Sequence, residues 1–121
     1  GRAQIGQVFR YTPSPQEGTS KESAAPGKLE LFIEPNDPER VQNPDNVTIA
    51  PWGDVILCED NGGSNVRLVG VTPEGALYTF ARARVMGEFA GAAFAPDGTT
   101  LFDNIQQAGV TLAITGPWRT S

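Results

Sequence analysis

Apolar and polar residues alternate along this chain in short runs separated by turns rich in Gly and Pro, and no apolar face recurs at helical spacing. Gln7 to Thr12 alternates and predicts a strand. Lys28 to Glu34 predicts a second, with Leu29, Leu31 and Ile33 on one face. Between them, Pro13 to Gly27 is polar and aperiodic and predicts a long surface loop; Pro35 to Pro44, with Pro at both ends and at 38, predicts another. Four strands then follow closely: Asn46 to Ala50, Asp54 to Glu59, Asn65 to Val71 and Ala76 to Ala81. Their connections are Pro51-Trp52-Gly53, Asp60-Asn61-Gly62-Gly63-Ser64 and Thr72-Pro73-Glu74-Gly75, residue types that favour tight turns through fixed or positive φ. Short links between sequential strands predict an antiparallel meander, and four such strands make one propeller blade.

The pattern then recurs. Ala50-Pro51-Trp52-Gly53-Asp54 matches Ala95-Pro96-Asp97-Gly98-Thr99, a repeat length of the order found in propeller blades. The second copy predicts strands at Phe89 to Phe94, Thr100 to Ile105 and Val110 to Thr115. The expected fold class is therefore all-β, with antiparallel β-meanders forming part of a β-propeller. Residues 6–34 would end one blade, 43–82 form a complete blade and 87–116 form a partial one. A self-contained β-sandwich of the same strands is the competing reading, because such turns are common in all-β proteins.

Composition narrows the chemistry. At 121 residues the chain is the size of one small domain. Its net charge is −5 and its basic residues are scattered, so it lacks the clustered Lys and Arg of a nucleic-acid binder. No apolar run approaches the roughly 20 residues of a membrane-spanning helix. Cys58 is the only cysteine and there is no histidine. Within this chain that excludes a disulfide, a structural zinc site and a Ser-His-Asp triad. A metal held here would sit mainly among oxygen atoms, which suits hard cations such as calcium or magnesium.

The candidate metal ligands are Asp45, Asn46, Glu59 and Glu88. Asp45 and Asn46 precede a strand that would lie innermost in a blade and so could line a central channel; an Asx-type turn is the plainer role. Glu59 and Asp60 end an apolar strand. Vicinal residues point to opposite faces, so one would reach a site and the other a turn, with Glu59 ranked ahead of Asp60. Glu88 stands by Gly87 in a position comparable with Asp45, or is a solvated loop carboxylate. Cys58 could ligate iron, but a small buried hydrophobe is the preferred reading. Arg67 is expected to form a surface ion pair, and Trp52 and Trp118 to cover turns or blade edges. Asp103 lies between Leu101 and Ile105, where burial of an unpaired carboxylate would be costly. No catalytic residue is assigned.

From Asn43 onward, the segments Asn43-Pro44-Asp45-Asn46, Leu57-Cys58-Glu59-Asp60, Gly87-Glu88-Phe89-Ala90-Gly91, Phe94-Ala95-Pro96-Asp97-Gly98, Asn104-Ile105-Gln106 and Ile114-Thr115-Gly116-Pro117-Trp118 resemble the PhoX-type alkaline phosphatases in order and spacing. Gly6-Gln7-Val8-Phe9-Arg10-Tyr11 resembles an upstream strand of the same family. The resemblance implies a phosphatase of phosphate monoesters, periplasmic or secreted and exported by the twin-arginine route. It further implies a propeller that uses calcium and iron, with the active site near its axis and ligands drawn from many blades. The family's early blades and its Arg-x-Glu type segment are not found in this sequence, and Asp103 stands where an apolar residue is expected. The expectation is thus a C-terminal portion inactive by itself. The alternative is a non-catalytic, propeller-like binding or self-assembly module, since open blade edges recruit further strands.

Overall fold

The computed structural model of the chain describes residues 2–63 and 65–118. Among these residues nine strands form, each where the alternation predicts it and with ends displaced by no more than about two residues. They are β1 (Val8–Thr12), β2 (Lys28–Ile33), β3 (Pro44–Ile49), β4 (Val55–Glu59), β5 (Arg67–Val71), β6 (Leu77–Arg82), β7 (Phe89–Phe94), β8 (Thr100–Ile105) and β9 (Val110–Thr115). The polar stretch after β1 carries one short 3-10 turn, Glu22–Ala24, that the aperiodic sequence did not predict. Ser64, part of the turn expected after β4, lies outside the described residues.

All pairings are antiparallel and join neighbours in sequence, giving a two-stranded sheet β1-β2, a four-stranded sheet β3-β4-β5-β6 and a three-stranded sheet β7-β8-β9. Among the described residues the sheets do not close into a ring. The central strands of the four-stranded sheet, β4 and β5, are buried between two apolar clusters. Leu57, Val69 and Val71 on one face meet Val8, Phe32 and Ile33 of the hairpin. Ile56, Cys58 and Leu68 on the other meet Phe89, Ala92, Leu101 and Ile105 of the last sheet. This is why β4 and β5 read as near-continuous apolar runs rather than as alternating ones. Each large side chain so buried contributes about 1.5–3 kcal/mol.

Gly70 lies in the middle of β5 because Tyr78 of β6 crosses it: a Cβ there would come within 2.0 Å of the Tyr78 ring. The Tyr78 hydroxyl in turn donates to Asp54 Oδ2 at 2.6 Å, tying β6 to the turn before β4. Where the AP-x-G turns converge, Trp52, Phe80 and Trp118 stack with centroids 5.5–6.2 Å apart, and Phe94 meets both tryptophans edge-on. The Trp118 indole N–H donates to the Thr99 carbonyl at 2.8 Å. Both tryptophans thus cover turns, as the sequence suggested.

Candidate functional site

The neighbouring four- and three-stranded sheets meet where β7 packs across β3 and β4. Each of the two sheets carries an irregularity there. In β3, Pro44 stands opposite Glu59 and Asn46 opposite Cys58, so Asp45 is an extra residue with no partner of its own. In β7, Ala90 stands opposite Asn104 and Ala93 opposite Phe102, so one residue is again inserted. Gly91 in that bulge has φ +75, a conformation that a side chain would resist. Bulges re-aim side chains, and these two face each other.

Asn46 joins them. Its Oδ1 accepts the Gly91 N–H at 3.2 Å and a weak bond from the Cys58 thiol at 3.9 Å. On the β8 side, Asn104 Nδ2 donates to the Ala90 carbonyl at 2.7 Å. The bulged backbone is thus held from both flanks by side-chain amides.

Around this junction the carboxylates of Asp45, Asp60 and Glu88 converge, their oxygens within 4.8 Å of one another. Asp45 is exposed and the other two half-buried. Asp60 directly follows β4 and is anchored by its N–H to the Asn43 carbonyl at 3.1 Å. Glu88 precedes β7; its N–H donates to Gln107 Oε1 at 2.8 Å and its carbonyl accepts the Gln106 N–H at 2.9 Å. A hollow of about 90 Å³ adjoins the group, lined by Asp60, Gly62, Gly87, Glu88 and Gln107. Partial burial, followed by the negative charges of Asp60 and Asp45, pushes the Glu88 carboxyl above the usual carboxylate range. Three acidic oxygens that repel one another in a small hollow fit a hard cation, which would relieve the repulsion. They do not fit a phosphoryl group on its own.

Of the four ligands expected from the sequence, the structure brings Asp45 and Glu88 together and adds Asp60. Asn46 lies beside them, its carbonyl oxygen engaged as described. Glu59 points to the opposite face. It is fully buried, and its carboxylate accepts the Arg67 Nε–H at 2.7 Å, a second guanidinium bond through Nη2, and the N–H groups of Arg67 and Gln42 at 3.2 and 2.7 Å. Arg67, expected in a surface pair, is itself buried; its remaining donors reach the Pro38 and Glu39 carbonyls. The ranking of Glu59 over Asp60 is therefore reversed for the carboxylate cluster. The signal was present in the sequence: Glu59 ends one central strand and Arg67 begins the next, and antiparallel pairing of Cys58 with Leu68 sets them side by side.

Two buried groups lie behind the cluster. The Cys58 thiol is pushed up to about 12, by burial first and then by the charge of Asp103, with smaller effects from Asp45 and Glu88. It stays protonated at neutral pH and offers no thiolate, in line with its reading as a small buried hydrophobe. Asp103 is fully buried; one oxygen accepts its neighbour Asn104's N–H at 2.8 Å, and among the described residues Oδ2 has no hydrogen-bond partner. Burial pushes its carboxyl up to about 6 against the pull of the Asn104 and Ala90 backbone groups.

No helix among the described residues is long and apolar enough to cross a membrane. The sequence model of one family, described as "Alkaline phosphatase PhoX", matches residues 1–109 of the chain. No curated protein and no solved structure matches it.

Proposed function

The chain belongs to the PhoX alkaline phosphatase family, and from that membership we propose that it supplies one sector of the metal-binding wall of a phosphate-monoester hydrolase. The observation that carries this reading is the convergence of Asp45, Asp60 and Glu88 at the junction of two sheets. A phosphoryl group is anionic, so a wall of carboxylates can serve it only through bound cations that neutralise its charge. In this reading Asp45, Asp60 and Glu88 hold calcium. Asn46 positions the two strands, and Glu59 acts on the wall from behind by fixing Arg67 and the segment before β3. Iron, the second metal of the family resemblance, would draw its ligands from other parts of the site, because Cys58 is fully buried in the apolar cluster between the two sheets.

The sheets are read as successive blades: the hairpin as the end of one, β3 to β6 as a whole blade and β7 to β9 as part of the next. Support for this comes from the order of pairing and from β3 and β7, the first strands of their sheets, lying side by side. The whole enzyme would be periplasmic or secreted. The isolated chain would be inactive, since one cation held by three carboxylates leaves too little positive charge to neutralise the transferring group.

Calcium titration by calorimetry tests this. One site is expected, with affinity on the order of 10⁻⁴ to 10⁻³ M, as in weak extracellular sites. Replacing Asp45→Asn together with Glu88→Gln should abolish the heat of binding while leaving the far-ultraviolet spectrum unchanged. Calcium binding that survives the double substitution would refute the site. Turnover of an aryl phosphate by the isolated chain with calcium and iron would refute its proposed inactivity.

A further inference from the structure

The turn after β4 holds a chemistry that the phosphatase reading does not use. Of the chain's asparagines only Asn61 is followed by glycine; the others precede Asp37, Pro44, Val47, Val66 and Ile105. An asparagine side-chain amide and the next residue's backbone nitrogen can close a five-membered ring. A side chain on that next residue hinders the approach, and Gly62 has none. Its φ is +66, a conformation that favours glycine. Gly62 is exposed, and a Cβ there would meet nothing within 4 Å, so the dipeptide is open to water.

The hydrogen bonds around this dipeptide are those such a closure needs. Asn61 Oδ1 accepts the Gly63 N–H at 3.1 Å. That donor addresses the oxygen on which negative charge develops when the side-chain amide carbon is attacked. The Gly62 N–H, whose proton must leave, donates to Asp60 Oδ1 at 3.3 Å. An amide N–H lies in the peptide plane and the electron pair that attacks stands out of it, so the bond to Asp60 does not block the attack. A backbone amide is too weak an acid to give up its proton first. It becomes acidic as the nitrogen bonds to carbon, and a carboxylate already in place takes the proton then.

We infer that Asn61 is a site of self-catalysed deamidation, promoted by the fold of its own turn. The Gly62 nitrogen bonds to Asn61 Cγ, and its proton passes to Asp60 and on to the departing Nδ2. The Cγ–Nδ2 bond breaks, ammonia leaves and a succinimide remains. Water opens that ring at either carbonyl, giving aspartate or isoaspartate at position 61. Only water is consumed, and nothing is oxidised or reduced. A neutral amide is thereby exchanged for a carboxylate. Asn61 lines a hollow of about 200 Å³ together with Arg67 and Arg82. Arg67 is already engaged by Glu59 and by the Pro38 and Glu39 carbonyls. Arg82 is exposed and among the described residues makes no ion pair, so the new charge gains a cation in the same hollow.

Peptide mapping by mass spectrometry tests this on the full chain, aged at neutral pH in a chelating buffer so that no cation engages Asp60. The amide-to-acid mass change at Asn61 should accumulate at least ~10-fold faster in the folded chain than in the same chain held unfolded in urea, the low side of what a positioned base supplies. Folding ordinarily slows this reaction by stiffening the backbone, so a bare Asn-Gly sequence would give the opposite sign. Asp60→Asn keeps an acceptor for the Gly62 N–H but removes the base, and should slow the folded-state reaction by ~10-fold or more. Reaction in the folded chain that is no faster than in urea overturns the proposal, as does a folded Asp60→Asn chain that reacts at the unaltered rate. If that variant does not fold, the comparison of folded and urea-held chain decides alone. The reaction is followed without calcium, so its failure leaves the cation reading standing.

Discussion

The four-stranded sheet and the hairpin are written in similar residues and meet opposite fates. Strand β5, Arg67–Val71, is buried along its whole length, Arg67 included. Strand β2, Lys28–Ile33, has apolar residues of the same kinds, yet only Ile33 is buried. Local sequence cannot account for the difference. Both faces of the central strands β4 and β5 are covered by neighbouring sheets, whereas the hairpin is covered where Ile33, Phe32 and Val8 meet Leu57, Val69 and Val71. Burial here is decided by neighbours rather than by side-chain type.

The strongest way to break this contrast is at the charged end of β5. Arg67→Ala leaves the Glu59 carboxylate buried without its counter-ion, at a cost of about 3–5 kcal/mol. Such a loss is a large part of the stability of any small domain, and urea melts should show a collapsed or absent transition. Replacing the pair together, Glu59→Gln with Arg67→Met, should cost clearly less.

A smaller effect is expected at Asp103, also buried but, among the described residues, with no counter-ion. Its folded-state carboxyl is raised from 3.8 to about 6. The stability it contributes is therefore complete below its unfolded value and is lost as pH rises through about 6. Asp103→Asn mimics the protonated form, so at neutral pH it should stabilise by on the order of 2–3 kcal/mol, and at pH 4 by little. The check is the difference between variant and unaltered urea midpoints across that range. A difference independent of pH would show that folding does not raise the Asp103 carboxyl as described.

The smallest effect belongs to the hairpin. Leu29, 68% exposed, should tolerate Leu29→Ala within about 0.5 kcal/mol in dilute solution where association is absent. A loss of several kcal/mol would mean that the monomer covers this face after all.

The sequence made the strands legible because turn residues and alternation agree at almost every boundary. The site was legible in part. Asp45 and Glu88 stood out as acids ahead of strands, and their meeting follows from β3 lying beside β7. The exchange of roles between Glu59 and Asp60 was harder to read, because it depends on which face of β4 meets the third sheet. The bulge at Asp45 was invisible as well. Pleating alone would send Asp45 and Asn46 to opposite faces, and only the inserted residue lets both serve one junction. The pairing of Arg67 with Glu59 could have been anticipated by aligning the ends of two consecutive central strands.

Because Glu59 and Asp60 are consecutive yet lie in such different surroundings, ionic strength addresses them separately. Dissolved salt screens charges that reach water, most fully beyond about 8–10 Å at physiological concentration and in part at shorter range, and scarcely reaches a buried pair. It therefore softens the mutual repulsion of Asp45, Asp60 and Glu88 while leaving the Glu59–Arg67 contact as it was. One peptide bond separates an acid that responds to its medium from one that does not.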